Sequence, residues 1–259
     1  MSSPRPARPE DGLAWITGAS SGIGRQLALE LVARGWTVVA TARREAELAA
    51  LAAEAKGRII AAPADVTDAR AVAAAVRRVQ TASARPIALA VLNAGTYIHD
   101  SAERFELDAF TRQVRVNVDG TAIALASVMP AMIARASGQI AIVSSVAGYR
   151  GLPRAIAYSA TKAALIAMAE SLKFDLDRAG VLVQVVNPGF VKTPLTDRND
   201  FPMPFLMPVE AAARRIADGL ARGRFEIAFP RRFAAILKLM RILPYALYFP
   251  LMGRTTQRR

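Results

Sequence analysis

Apolar runs of strand length alternate along this chain with longer, Ala-rich stretches of helical periodicity. Six strands are predicted at "LAWIT" from Leu13, "TVVATA" from Thr37, "RIIAAP" from Arg58, "IALAVLN" from Ile87, "QIAIVSS" from Gln139 and "LVQVVN" from Leu182. "FEIAF" from Phe225 adds a seventh. Helices are predicted near residues 23–34, 45–55, 68–81, 108–135, 155–179 and 209–222. The strand runs are apolar throughout and do not alternate, as expected of strands covered on both faces. A repeated βα order with such strands predicts an α/β fold with one doubly wound, mainly parallel sheet of about seven strands. No internal repeat or linker divides residues 12–229, so they are expected to form a single domain.

The two ends differ from this pattern. Residues 1–11, "MSSPRPARPED", are rich in Pro and Arg and lack an apolar core, so they are expected to be a flexible leader and not a signal peptide. Residues 230–259 predict a basic amphipathic C-terminal extension. On a helical wheel Phe233, Ile236, Leu237, Met240 and Leu243 share one side, with Arg231, Arg232, Lys238 and Arg241 on the other; Pro244 would stop the helix. Two readings of this extension stay open. It is an interfacial anchor on a membrane surface, or a helix docked on its own domain or in a dimer.

Composition sharpens only a few points. Hydrophobic residues make up 53% of 259, enough for a sizeable core and against disorder. The chain has no Cys, which excludes disulfide and thiolate chemistry and fits a reducing, cytoplasmic setting. A peripheral position on the inner face of the membrane follows if the extension binds lipid. No run of about 18 apolar residues is seen; "GTAIALASVMPAMIA" from Gly120 is short and interrupted by Pro. Of the net charge of +13, residues 222–259 supply +8, from nine Lys/Arg against one Glu. The basic excess is thus a tail property. With no recognised module, it gives no case for nucleic acid.

Candidate chemistry begins after the first strand. In "WITGASSGIGRQLALELV", Gly18, Gly22 and Gly24 sit where a strand turns into a helix. Glycine lets a pyrophosphate approach the backbone, and a helix N-terminus offers unpaired N–H groups. The second strand ends "VVATARRE". An acid there would suit a free ribose 2′-hydroxyl, but Ala42, Arg43 and Arg44 stand instead. Two guanidiniums suit a 2′-phosphate, which points to NADP(H); the alternative is a solvated pair ahead of the next helix. A phenol and an ammonium, Tyr158 and Lys162, lie at i and i+4 of "YSATKAALIAMAESL" and share one helix face. Lowering a tyrosine pKa from about 10 by roughly three units takes about 4 kcal/mol. An ammonium about 4 Å away at an effective dielectric near 20 supplies about that much.

"TGASSGIG" (17–24), "ADVTD" (64–68), "NAG" (93–95), "VRVNVDGT" (114–121), "IVSSVAG" (142–148), "YSATK" (158–162) and "NPGFVKT" (187–193) occur in this order. On these motifs, from about residue 12 to 229, the chain resembles the short-chain dehydrogenase/reductases. The resemblance implies a Rossmann-type sheet with its active site over the carboxyl ends of the strands. It makes Tyr158 the acid/base, Lys162 its partner, Ser145 the hydroxyl that holds the carbonyl, and Asn117 a fourth member holding a water beside Lys162. It implies cofactor contacts from Gly18, Ser20, Ser21, Gly22, Ile23 and Gly24, with Arg43 and Arg44 beside them. Asp65 and Val66 fall to the adenine; Asn93, Ala94 and Gly95 to the middle of the cofactor. Tyr158 and Lys162 then meet the ribose, and Pro188, Gly189, Val191 and Thr193 the nicotinamide end. No metal is implied. Leu92 departs from the family, which often has a second Asn there.

The implied function is hydride transfer between NADP(H) and a small-molecule carbonyl or secondary alcohol. The apolar loop "FPMPFLMP", with Met203 and Met207, suggests a lipophilic substrate. Met129 and Met132 read as core. His99 reads as a loop residue or as part of the substrate mouth. The family also suggests a homo-oligomer, dimer or tetramer, through the two long helices. A catalytically silent NADP(H)-binding regulator and a membrane-attached scaffold are the alternatives on the same fold.

Overall fold

In the computed structural model, which describes residues 4–198 and 201–256, seven strands form one parallel sheet. They are β1 (Leu13–Thr17), β2 (Val38–Thr41), β3 (Ile59–Ala61), β4 (Ile87–Leu92), β5 (Gly138–Val143), β6 (Val181–Pro188) and β7 (Glu226–Phe229). Across the sheet the order is β3-β2-β1-β4-β5-β6-β7. The winding direction reverses between β1 and β4. At such a point the connecting segments leave toward opposite faces and a crevice opens at the strand carboxyl ends.

One face of the sheet is covered by α1 (Gly22–Ala33), α2 (Glu45–Glu54) and α7 (Val209–Arg222), through buried Leu27, Leu31, Leu48, Leu51, Ile216 and Leu220. The other face carries α3 (Ala69–Ser83), α5 (Gly120–Ala134) and α6 (Ile156–Arg178), through Val72, Val76, Val128, Leu165 and Leu176. The helix expected at 108–135 is not uniform. α4 (Leu107–Val114) passes through a π-helical turn at Arg115–Asp119 before α5 begins. Such a turn takes an extra residue and often marks a functional position; here it contains Asn117. Leu107–Ala134 is long enough to span a membrane and contains an 18-residue window of mean hydropathy 1.4, a test of length and composition only. Its Ala124, Leu125, Val128 and Met132 are buried against the sheet.

Both ends of the domain are tied down where they are described. The expected loose leader is instead fixed from Pro4 onward, though residues 1–3 lie outside the described residues. Ala7 N donates to Gln139 Oε1 at 2.8 Å, and the Arg85 guanidinium donates to Pro9 O and Gly12 O. The tail folds as α8 (Arg231–Ile242) and α9 (Tyr245–Thr256); residues 257–259 are outside the described set. Phe233, Leu237 and Met240 of α8 turn inward onto the α5–α6 face, as the helical wheel predicts. Ile236 is 48% exposed, and the side expected to be basic also displays Leu239 and Ile242. Leu243 and Pro244 end α8; the second helix was not anticipated.

Polar contacts fasten this extension to the segment that follows β5. Glu226 accepts from Tyr149 Oη at 2.5 Å and Asn187 Nδ2 at 2.9 Å, and pairs with Lys238 of α8. Burial works to raise the Glu226 carboxyl, but the hydrogen bonds from Lys238, Tyr149 and Asn187 outweigh it and leave the pKa below the ordinary value. Arg150 donates to the α8 carbonyls of Met240 at 2.6 Å and to Leu243 O at 2.7 Å, satisfying the helix C-terminus. Its guanidinium lies 3.8 Å from the Tyr248 ring centroid, and Tyr248 Oη donates to Gly151 O at 2.6 Å.

Candidate active site

A cleft of about 530 Å³ lies over the strand ends at the β1–β4 reversal. Its floor is the loop from β1 to α1. Gly18 adopts φ +70°, and a Cβ there would stand 2.8 Å from Ala94 Cα. Only glycine allows that turn and that approach together. Ser20, Ser21, Gly22 and Ile23 continue along the wall into the first turn of α1. Gly24 is different: it is not on the cleft. A Cβ on it would meet Gly18 O at 2.4 Å and Asn93 Nδ2 at 2.5 Å, so its bareness packs the helix against the loop and not against a ligand.

Arg43 and Arg44 border one end of the cleft, with Asp65 and Val66 next to them. Arg44 Nη2 donates to Ser20 Oγ at 2.9 Å, and Arg43 lies 3.8 Å from Asp65 while remaining 74% exposed. Burial tends to raise the Asp65 carboxyl. Hydrogen bonds from Thr67 N and Oγ1 and the charge of Arg43 overcome it, and the pKa falls below the usual value. Asn93, Ala94 and Gly95 line the middle. Asn93 Nδ2 donates to Thr17 O at 3.0 Å, joining the ends of β4 and β1.

At the far end Ser145, Tyr158 and Lys162 converge with Pro188, Gly189, Val191 and Thr193. Tyr158 and Lys162 are four residues apart on α6, and Ser145 follows β5. Ser145 Oγ donates to Pro188 O at 3.2 Å and accepts from Ala147 N at 3.1 Å. Its neighbour Ser144 is used otherwise: Oγ donates to Lys162 O at 2.7 Å. Lys162 Nζ is buried and donates to Val143 O at 3.0 Å.

The electrostatics here correct one expectation. Lys162 Nζ lies 5.6 Å from the Tyr158 ring centroid, and burial lowers its own pKa to about 8. Burial raises the phenol above its ordinary value, with a hydrogen bond to Ser145 pulling weakly the other way. Lys162 therefore does not by itself acidify Tyr158. The same desolvation that weakens the ammonium strengthens the phenol's hold on its proton.

Asn117 has a structural task in the chain. It is buried off the cleft and its side chain is engaged. Oδ1 accepts from Thr96 N at 2.7 Å, while Nδ2 donates to Thr96 O and to Thr161 Oγ1, both at 3.0 Å. Both Nδ2 hydrogens are used and Oδ1 keeps one acceptor position, so the side chain clips the loop after Gly95 to α6, one residue before Lys162.

Two contributors were missed. Tyr97 stands edge-on to Tyr158 with ring centroids 5.0 Å apart; an aromatic two residues after "NAG" was the available signal. Asp100 is 5% exposed and caps α6 from a distant loop. Its Oδ1 accepts from Ile156 N at 2.7 Å and its Oδ2 from Ala157 N at 2.8 Å. The helix's own N-cap is Ala155, which has no side-chain acceptor, so Asp100 supplies it. No local pattern reveals a cap from 56 residues away. His99 is exposed, touches Tyr97 edge-on at 6.3 Å and lies off the cleft.

Beside the cleft the α8 helix reaches the substrate-side loop. Phe233 stacks on Phe190 at 5.8 Å and packs on Phe205 at 5.7 Å; Phe190 meets Phe201 at 6.0 Å. A Cβ at Gly189, on the cleft, would stand 2.9 Å from Phe233 Cδ1. Met207 is buried and pairs with Val191 in a short parallel bridge that pins the loop.

Comparisons with known proteins agree with this geometry. An uncharacterized oxidoreductase of Myxococcus xanthus is 42% identical over 238 residues, 91% of this chain and 94% of that one. A 2-dehydro-3-deoxy-L-rhamnonate dehydrogenase (NAD(+)) of a Sphingomonas strain is 33% identical over 71% of this chain and 74% of its own. The crystal structure of a short chain dehydrogenase from Burkholderia cenocepacia in complex with NADP has a TM-score of 0.83 at 26% identity. It covers 95% of this chain and 99% of that one. The family description "short chain dehydrogenase" matches residues 13–201, the stretch that builds the glycine loop, the Ser145 segment and α6. By that match and that kinship, the chain is an oxidoreductase belonging to the short-chain dehydrogenase/reductase family.

Proposed function

We propose that the chain is an NADP(H)-dependent oxidoreductase acting on a lipophilic carbonyl or secondary alcohol, with Tyr158 as acid/base. The observation that carries this reading is a single cleft. It joins a glycine loop and two guanidiniums at one end to Ser145, Tyr158 and Lys162 at the other. The residues fit the cofactor. Gly95 lines the cleft, and a Cβ there would occupy volume 3.6 Å from Lys162 Nζ that the glycine leaves open. Gly18 to Ile23 would hold the pyrophosphate, Arg43 and Arg44 the 2′-phosphate, and Asp65 and Val66 the adenine. The Burkholderia relative holds NADP, which supports the phosphorylated cofactor. The Sphingomonas relative is named for NAD(+), so the Arg pair is the deciding feature.

When bound, the reduced nicotinamide supplies the hydride. Ser145 Oγ hydrogen-bonds the carbonyl oxygen and orients it. Tyr158, its phenol held protonated by burial, donates the proton to that oxygen as charge develops there. Lys162 keeps a positive charge beneath this pair below about pH 8. The Phe190–Phe233 cluster supports an apolar substrate. Association through the long helices is part of the same reading, supported by exposed Leu107 and Ile133 on α4 and α5 and Phe174 on α6.

The test is NADPH consumption across ketones and aldehydes of graded lipophilicity. Tyr158→Phe should lower turnover by about 10²- to 10⁴-fold while cofactor binding, followed by NADPH fluorescence, stays. A near-normal rate in that variant refutes the assignment. Tight NADPH binding with no consumption of any carbonyl would favour the silent regulator instead.

A further inference from the structure

The inner side of α8 is spent on the core, but the outer surface of the α8–α9 extension is apolar as well. Leu239 is 62% exposed and Ile242 75%; on α9, Tyr245 is 69%, Leu247 59% and Phe249 63%. From Tyr245 to Gly253 α9 carries no charged residue, and within Tyr245–Leu251 only Tyr248 is buried. Arg231, Arg232 and Arg241 are exposed on α8 and form no ion pair among the described residues. We infer that this face docks onto an anionic lipid surface, with α9 lying in the plane of the interface and the arginines against the headgroups.

Three observations choose lipid over other partners. Residues 222–259 carry a net +8, so two copies meeting face to face would bring like charges together, whereas an anionic surface is complementary. The exposed apolar set includes the aromatic Tyr245 and Phe249 on a helix of 12 residues, too short to cross a bilayer and composed like an interfacial one. The extension is also anchored, by Arg150 under Tyr248 and by Lys238 on Glu226. Lipid binding then needs no unfolding of the helix, and the aromatic cluster around Phe233 is brought to the bilayer surface.

The experiment is flotation of the full-length protein with phosphatidylcholine vesicles, alone or mixed with phosphatidylglycerol. It requires no turnover, so its failure is distinguishable from failure of the proposed catalysis. Binding is expected to the mixed vesicles only and should weaken with salt. It should fall about fivefold for each arginine removed in Arg231→Gln and Arg232→Gln. The double variant L239D/I242D should abolish it while NADPH oxidation with a water-soluble carbonyl, if the wild type shows it, is unchanged. Phe249→Ser provides a second lesion in a different helix. Absence of binding, equal binding to both vesicle types, or undiminished binding by L239D/I242D overturns the inference. So does a concentration-dependent dimer that L239D/I242D dissociates, since a second copy would then cover the face.

Discussion

At one end of the cleft the chain presents glycines, backbone and two guanidiniums; at the other, a phenol, a buried ammonium and a nearby cluster of four phenylalanines. The first end is assembled almost wholly within the β1–α1–β2 unit, from residues close in sequence. Residues 145, 158, 190, 205 and 233, on four separate segments, make up the second and its aromatic flank. A surface of backbone groups recognises what every dinucleotide shares, and it needs only local chain geometry. A surface of packed side chains recognises one substrate among many, and it depends on which distant helix happens to lie alongside.

Lys162 joins the two ends, and Lys162→Met is the substitution expected to move activity and stability at once by the largest amounts. Turnover should drop by roughly 10²-fold or more. Stability should move oppositely. The lysine has a pKa of about 8 in the folded chain against the ordinary 10.5, so below pH 8 folding buries a charge at a cost that fades as pH rises toward 10.5. Thermal unfolding near pH 7 should show a gain of up to about 3 kcal/mol in the variant, reduced by the lost bond to Val143 O. In the wild type, kcat/KM should decline above about pH 8 as the ammonium is lost. A rate flat through pH 9 would break the link between the two ends.

Arg43→Ala should act on the glycine-loop end alone. Its expected effect is about one to two decades of lost NADPH affinity with little change for NADH, checked by fluorescence titration; equal weakening would remove the 2′-phosphate contact. Phe233→Ala should act on the aromatic end alone, raising KM about tenfold for long apolar carbonyls and leaving short ones unaffected. The smallest effect is expected from Asp100→Ala, about 1 kcal/mol in stability from the lost cap and a few-fold drop in kcat. Asp100→Asn should restore most of both, because Asn also caps; equal damage from the two would mean that the charge, and not the hydrogen bond, positions Tyr158.

The sequence disclosed these parts unequally, for physical reasons. All seven strands were legible, because a strand covered on both faces must be apolar at every position. Gly18 could be read from its place between strand and helix, and Tyr158 with Lys162 from helical spacing. Asn117 was placed but its partners were not, since a π turn leaves no trace in apolar periodicity. Asp100 and Phe233 act across 56 and 43 residues, on Ile156 and Phe190, where no short-range pattern operates. The phenol's pKa was misjudged because spacing reports direction but not desolvation, and burial decides the sign here. The tail's wheel found the docked side, yet Leu239 and Ile242 on the opposite side become informative only once docking leaves them outside.

The clamp formed by Arg150 has a consequence for synthesis. Its acceptors, the carbonyls of Met240 and Leu243, lie about ninety residues downstream and leave the ribosome correspondingly later. A nascent chain released as far as β6 would already own its glycine loop, its serine and its tyrosine. The stretch just after that serine would still lack the partners that hold it, so α8 and the turn after it act as a late step in maturing the site that Phe233 flanks.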